Sequence, residues 1–424
     1  MIETRPKNTP ERALLIGLEK AGVSKWDLQD SLEELRELAS SAGAEVVDTV
    51  TQKLQRPTAP YYIGKGKAES IKDSFQHRQV TSVIFDDELS PAQGRNLENL
   101  LSRKVLDRTQ LILDIFAQRA RSREGRLQIE LAQLQYLLPR LTRMWHHLSR
   151  QTGGIGTRGP GETQLEVDRR RVQERIARLE RELEEVRKTR AVQRQGRKRH
   201  QWPVAAVVGY TNAGKSTLLN LLTGADVVTE DRLFATLDPT TRSLTLPNKQ
   251  RVLLTDTVGF LRKLPHTLIE SFKATLEEVS EADLLIHVVD LSHSRVDEHM
   301  AAVDAVTKEL DAFGKQTLIV FNKIDAVENS ELIDSYLKRF PGSVAISART
   351  GAGVGNLVKQ LQAALTAWRL RSRFRIPVSE SALIAEIHRV GHVLELRYEG
   401  GDAVIVAHVP PQLESKLAQY AGAS

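Results

Sequence analysis

The chain contains no cysteine, which excludes a disulfide framework and any thiolate metal site and fits a protein of the cytoplasm. Its first residues, Met1-Ile2-Glu3-Thr4-Arg5-Pro6, hold no apolar signal core. No apolar run reaches membrane-spanning length, and the longest, such as Leu284-Leu285-Ile286-His287-Val288-Val289, are strand-sized. A cytoplasmic monomer without a membrane-spanning segment is therefore expected, with peripheral attachment at a membrane left open. One further absence matters. Gly154, Gly156 and Gly159 satisfy G-x-G-x-x-G, but no strand precedes them, so a dinucleotide site is rejected.

The 424 residues are 41% hydrophobic, a globular composition long enough for two to four domains, each with its own core. Net charge is only +6, yet its placement is uneven: +3 over residues 1–150, +6 over 151–200 and −3 over 201–424. The basic excess stands just before the most informative stretch of the chain.

That stretch is Gly209-Tyr210-Thr211-Asn212-Ala213-Gly214-Lys215-Ser216, which fits G-x-x-x-x-G-K-[ST]. It follows the apolar run Val204 to Val208 and opens into Thr217-Leu218-Leu219-Asn220-Leu221-Leu222, so strand, loop and helix are all in place. Glycines let the backbone close around phosphates with N–H groups pointing inward, and the helix adds the positive end of its dipole. Lys215 is placed to reach the β and γ phosphates, and the Ser216 hydroxyl to ligate Mg²⁺.

Three downstream segments select the nucleotide. Arg251 to Thr255 reads as a buried strand ending in Asp256-Thr257-Val258-Gly259, where Asp256 can hold the Mg²⁺ shell, through water, and the Gly259 N–H can meet the γ-phosphate. Gln316 to Phe321 ends in Asn322-Lys323-Ile324-Asp325. The Asp325 carboxylate can accept two hydrogen bonds from the Watson–Crick edge of guanine, whereas adenine offers no ring N–H there. After Ser343 to Ile346 comes Ser347-Ala348-Arg349-Thr350-Gly351, whose Ala348 N–H could meet the guanine carbonyl. GTP and GDP are thus the expected ligands.

A Mg²⁺-contacting threonine should lie between the phosphate loop and Asp256. Leu233-Phe234-Ala235-Thr236-Leu237-Asp238-Pro239-Thr240-Thr241-Arg242 offers three; their order relative to Phe234 favours Thr236, with Thr240 and Thr241 as alternatives. The metal ligands expected are therefore Ser216, Thr236 and Asp256, and the groups expected to act on the γ-phosphate are Lys215, Thr236 and Gly259. The residue after Gly259 is Phe260, which cannot orient an attacking water as the glutamine of many GTPases does. Hydrolysis is then either slow until a partner completes it, or incidental to a binding switch. Asn212 is a candidate for holding a monovalent cation, K⁺, that would neutralise transition-state charge; otherwise it only shapes the loop.

Upstream, Leu127, Leu131, Leu134, Leu138, Leu141, Trp145 and Leu148 are spaced 4-3-4-3-4-3, and Val172, Ile176, Leu179, Leu183 and Val186 repeat 4-3-4-3. Two such seams predict a helical hairpin, the first spanning about 33 Å, with Pro139 expected to kink it. Between them lies the Arg-bearing, glycine-rich stretch Arg150 to Glu162, suited to probing folded RNA by phosphate contact and stacking. The basic run from Arg187 to His200 ends the stalk, and Gln201-Trp202-Pro203 marks a boundary.

Residues 1–120 read as a small α/β domain, with strands at Glu45 to Val50 and Val80 to Phe85 and helices at Leu28 to Ala39, Ala68 to Gln76 and Pro91 to Leu101. Ile63-Gly64-Lys65-Gly66-Lys67 reads as a glycine turn before a helix rather than a phosphate contact. Residues 371–424 read as a small α/β tail with a helix at Leu383 to Ile387 and a strand pair, Val393 to Tyr398 and Ala403 to Val409. The expected architecture is multidomain α/β: an N-terminal domain (1–120), a hairpin with its tip at 150–162 (121–200), a P-loop GTPase domain (201–370) and the tail.

Tyr61-Tyr62-Ile63-Gly64-Lys65-Gly66-Lys67, Phe85-Asp86-Asp87-Glu88-Leu89-Ser90-Pro91, Asp107-Arg108-Thr109, Arg158-Gly159-Pro160-Gly161-Glu162-Thr163 and Phe234-Ala235-Thr236-Leu237-Asp238 closely resemble the HflX GTPases. The resemblance covers almost the whole chain. It implies that the P-loop GTPase domain is Ras-like. It implies a GTPase that binds the large ribosomal subunit and its RNA, points the hairpin tip toward the peptidyl transferase region, and splits stalled ribosomes under stress. It also implies hydrolysis stimulated by the ribosome, since Phe260 fits the family's hydrophobic replacement of glutamine. A nucleotide-gated switch whose hairpin docks a protein partner as a coiled coil is the alternative.

Overall fold

The computed structural model describes residues 10–22, 24–75, 79–141, 164–199, 202–224, 233–234, 236–237, 239–248, 250–263, 278–312, 314–366, 370–409 and 411–421. They fall into two compact units, the first built mainly from the chain up to Val186 and the second mainly from Arg187 onward.

In the first unit a four-stranded parallel sheet has the order β2-β1-β3-β4, formed by β1 (Glu11–Glu19), β2 (Ala44–Lys53), β3 (Ser82–Phe85) and β4 (Lys104–Asp107). Ala13, Leu14, Leu15, Ile16 and Leu18 of β1 are all buried, the near-continuous apolar run that a parallel strand covered on both faces requires. Neither β1, β4 nor the helix Arg108–Arg119 was anticipated; the two strands and three helices read from the sequence are present. Helix starts are set chemically. Ser24 and Ser90 form capping boxes with Asp27 and Gln93, and Asp107 caps the helix that begins at Arg108.

The two apolar seams meet. Helix Arg123–Leu141 packs against helix Gln164–Arg199 through Leu127, Leu131, Leu179 and Leu183, flanked by Leu134, Ile176 and Val186. Arg175 crosses between the helices to both Glu130 carboxylate oxygens, at 2.7 and 2.8 Å. At the other end of the first helix, Tyr136 donates to Asp107 at 2.7 Å and Arg140 to the Leu89 carbonyl at 2.8 Å. Pro139 does not end that helix, which runs on to Leu141. Trp145, Leu148 and the glycine-rich stretch 150–162 lie outside the described residues.

In the second unit a six-stranded sheet has the order β10-β9-β8-β5-β7-β6, from β5 (Val204–Gly209), β6 (Thr240–Thr245), β7 (Arg251–Asp256), β8 (Leu284–Asp290), β9 (Thr317–Asn322) and β10 (Val344–Ala345). All neighbours are parallel except β6, which runs antiparallel to β7. The central β5 is buried through Ala205, Ala206, Val207 and Val208, and it delivers Gly209 to the carboxyl edge where open α/β sheets bind ligands. A second, smaller sheet has the antiparallel order β11-β13-β12, from β11 (Leu370–Pro377), β12 (His392–Glu399) and β13 (Asp402–Val409), with its own core of Phe374, Ile376, Ile387 and Ile405. The tail thus has a third strand, β11, beside the strand pair expected from the sequence. Arg373 and Arg375 alternate with the fully buried Phe374 and Ile376.

Candidate nucleotide site

The phosphate loop leaves β5 at Gly209, whose φ of 153° and neighbours leave no room for a side chain: an added Cβ would lie 2.3 Å from the Val288 carbonyl oxygen of β8. Gly214 has φ 90°, and a Cβ there would lie 2.2 Å from Asn322 Nδ2. Asn212 between them is left-handed, with φ 59°. Helix Lys215–Thr223 follows, and no side chain caps its first turn, so its leading N–H groups remain for a ligand. Lys215 is buried, and its ammonium donates to the Tyr210 carbonyl at 2.6 Å. Burial pushes its pKa down to about 8 against the opposing pull of Asp256. Such a desolvated cation is poised for an anionic partner.

Three of the sequence-assigned oxygens converge. Ser216 Oγ and Thr236 Oγ1 lie 2.8 Å apart and donate to the same Asp256 oxygen, Oδ2, at 2.6 and 2.8 Å. Asp256 is fully buried at the end of β7, its other oxygen has no hydrogen-bond partner, and burial holds its pKa above the ordinary carboxylate range. Two hydroxyls and a carboxylate with an unsatisfied oxygen form the hard, all-oxygen donor set that Mg²⁺ takes. Of the alternative threonines, Thr241 pairs with Thr255 across β6 and β7 at 3.0 Å, and Thr240 stands opposite Asp256 in the ladder.

Beyond Asp256, Thr257 is buried and donates to the Val207 carbonyl at 2.7 Å, and Val258 is buried beside it. Gly259 packs so closely that a Cβ would lie 2.8 Å from Thr211 Cγ2 and 3.1 Å from Lys215 Nζ, against the phosphate loop. Phe260 pairs with the loop through its backbone: Thr211 N–H donates to its carbonyl at 2.8 Å, and its N–H donates to Gly209 at 3.1 Å. Its ring is buried and presents nothing polar to a water.

At the end of β9, Asn322 joins two loops: Nδ2 donates to the Ala213 carbonyl at 2.8 Å and Oδ1 accepts from the Ala348 N–H at 2.9 Å. Lys323 is left-handed at φ 64° and pairs with Asp290 at 2.7 Å; the Ile324 N–H donates to the Ile346 carbonyl at 3.2 Å. Asp325 pairs with Arg349, and its carboxyl is held below the ordinary range first by a hydrogen bond from the buried Ser347 and further by that guanidinium.

Thr217 stands half-buried in the first turn of the helix after Ser216, and Leu237 is buried. Phe234 groups with the first unit, where its buried ring packs edge-on against Phe116 at 4.5 Å. Ala235 and Asp238 lie outside the described residues. Sequence reasoning missed two histidines. His287, buried in β8, has its pKa pushed down to about 4 by burial and by Lys215, and His299 stacks on Tyr210. A lone polar residue within Leu284 to Val289 was the available signal for the first; nothing local marks the second.

Three family models match the chain: GTP-binding GTPase N-terminal over residues 29–117, GTP-binding GTPase Middle Region over 119–197 and 50S ribosome-binding GTPase over 204–323. Among curated relatives, the chain is 47% identical to a GTPase HflX of Lacrimispora saccharolytica, over 98% of each chain. It is 46% identical to the GTPase HflX of Escherichia coli K12, over 91% of this chain and 90% of that one. Among solved structures, a GTP-binding protein from Sulfolobus solfataricus in complex with GDP aligns with 84% of this chain and 99% of its own, at 26% identity and a TM-score of 0.45.

Proposed function

The chain belongs to the GTPase HflX family, and from that premise we propose that it is a Mg²⁺-dependent GTPase that works on the large ribosomal subunit, separating stalled ribosomes under stress. That it binds guanine nucleotide and hydrolyses GTP follows from the family itself. In the proposed site the phosphate-loop N–H groups and Lys215 hold the phosphates, Asp325 reads guanine and Ala348 meets its carbonyl. Ser216, Thr236 and Asp256 would hold Mg²⁺, which when bound supplies charge neutralisation between the β and γ phosphates. The Gly259 N–H meets the γ-phosphate. With Phe260 unable to orient water, hydrolysis is slow until the ribosome completes the site, and Asn212 provides for K⁺.

The observation that carries the ribosomal part is the filled seam of the hairpin. Leu127 and Leu131 bury against Leu179 and Leu183, so this part of the two apolar rows is used between the helices, while Arg169, Arg170, Arg171, Arg178 and Arg181 are exposed. A coiled-coil docking surface needs an open seam, whereas basic helices joined in sequence by a glycine-rich, arginine-bearing stretch suit RNA. Co-sedimentation with separated ribosomal subunits, with the protein loaded with GDP or a non-hydrolysable GTP analogue, tests the proposal. Analogue-dependent binding to the large subunit is expected, and equal or absent association in both states overturns it.

A further inference from the structure

We infer that His299 and Glu298, at the start of helix Val296–Glu309, are positioning residues for GTP hydrolysis: together they hold the segment that follows Gly259 against the phosphate loop. The inference starts from Tyr210, the second residue of that loop. Its backbone forms a parallel bridge with Phe260, and its phenol oxygen accepts the Arg262 N–H at 2.9 Å. Residues 260–262 are thus tied to residues 209–211 at both ends of a short run.

What fixes the Tyr210 ring is His299. The two rings are parallel, 3° between planes, with centroids 3.8 Å apart, and the imidazole is backed by His293 at 4.2 Å. Alongside, the Arg262 guanidinium pairs with Glu298 at 2.9 Å, and Arg295 holds the same carboxylate at 3.0 Å. One helical turn therefore grips the segment twice, through Tyr210 by stacking and through Arg262 by charge. Gly259 lies three residues before Arg262, already packed against Thr211 and the Lys215 ammonium. A displacement of Arg262 is transmitted along a short tether to the Gly259 N–H, which in the function proposed above, on which this inference rests, meets the γ-phosphate. Misplacements of about 1 Å in such a group cost up to about a hundredfold in rate. Burial, reinforced by His293 and Arg262, keeps the imidazole neutral, so the stack carries no charge into the site at neutral pH.

A merely structural stack and a positioning stack predict different kinetics. The test compares single-turnover GTP hydrolysis, GDP affinity from a fluorescent GDP analogue, and thermal midpoint for the full-length protein with His299→Ala, His299→Phe and Glu298→Gln. We expect His299→Ala to slow hydrolysis on the order of tenfold while GDP affinity stays within about twofold, since only the γ-phosphate contact depends on the segment. His299→Phe preserves the stack and should restore most of the rate. Glu298 is half-exposed, so Glu298→Gln keeps the test alive if His299→Ala fails to fold, and it should slow hydrolysis by several-fold. Wild-type hydrolysis in His299→Ala, or in Glu298→Gln where the former does not fold, overturns the inference; so does a loss of GDP affinity equal to the loss of rate.

Discussion

Asn322 donates a hydrogen bond from Nδ2 to the Ala213 carbonyl at 2.8 Å, joining the end of β9 to the middle of the phosphate loop. Its Oδ1 is engaged by the Ala348 N–H, so one amide spans the phosphate loop and the loop that begins at Ser347. The fit is close enough that Gly214 has no room for a Cβ beside it.

Asn322→Ala should therefore loosen both loops at once. A buried N–H and a buried carbonyl lose their partner, and the cost is about 2 kcal/mol, roughly thirtyfold in GDP affinity. Titration calorimetry checks it. An affinity within twofold of wild type would mean the bridge does not organise the site.

Asp325→Asn removes the acceptor pair for the guanine edge and places an amide donor against the ring N–H. Selectivity for GDP over ADP should fall by tenfold or more, roughly the loss of one charged hydrogen bond. Competition of both nucleotides against a fluorescent analogue measures it, and unchanged selectivity would remove Asp325 from the base site.

Hydrolysis in potassium should exceed that in sodium at equal ionic strength on the order of tenfold, and Asn212→Ala should abolish the difference. Equal turnover in the two salts would reduce Asn212 to a loop-shaping residue, a role its left-handed φ of 59° already explains.

Acid should destabilise the protein through His287, which is buried, and the partly buried His299. The pKa values of His287 and His299 are lowered from 6.5 to about 4 and about 3, chiefly by burial, so below pH 6.5 the unfolded chain takes up protons that the folded one refuses. Their contribution is fully present above pH 6.5 and is lost as pH falls from there through about 4 for His287 and about 3 for His299. The thermal midpoint should drop across that window, and less steeply for His299→Phe. Parallel curves for the two proteins would show that His299 does not titrate as described.

Arg158→Ala, in the stretch between the hairpin helices, should leave GDP binding intact and weaken large-subunit association, with a reduced salt dependence from the lost phosphate contact. Equal loss of nucleotide and subunit binding would contradict a separation of the two tasks.

Much of the candidate site was legible because its residues cluster in short motifs that the structure sets at strand ends: Gly209 to Ser216, Asp256 to Gly259, Asn322 to Asp325. The threonine was harder. Thr236, Thr240 and Thr241 are equivalent as letters, and only the pairing of β6 with β7 sends Thr241 to Thr255 while Thr236 reaches Asp256. Strand β1 escaped notice because Ala13-Leu14-Leu15-Ile16 is apolar without alternation, as a strand buried on both faces must be, and such a run carries no period. In β11 only two apolar residues, Phe374 and Ile376, alternate with arginines, too short a run to carry a strand period on its own. The hairpin seams were readable since each is local, and their packing follows from period alone. The Tyr210 and His299 stack was invisible, because it joins segments far apart that meet only once β5 and β8 are neighbours.

The triangle of Ser216, Thr236 and Asp256 has a chemical consequence of its own. In the proposed site a proton and a divalent cation would be rivals at Asp256, and burial, by raising that carboxyl's pKa, favours the proton. Ser216 and Thr236, which donate to this carboxylate, would hold the cation together with it, and the cation would supply positive charge where the proton now supplies it. Acidity would then act as a competitive antagonist of the metal, and the concentration of cation needed for half-saturation should climb as the medium becomes more acidic.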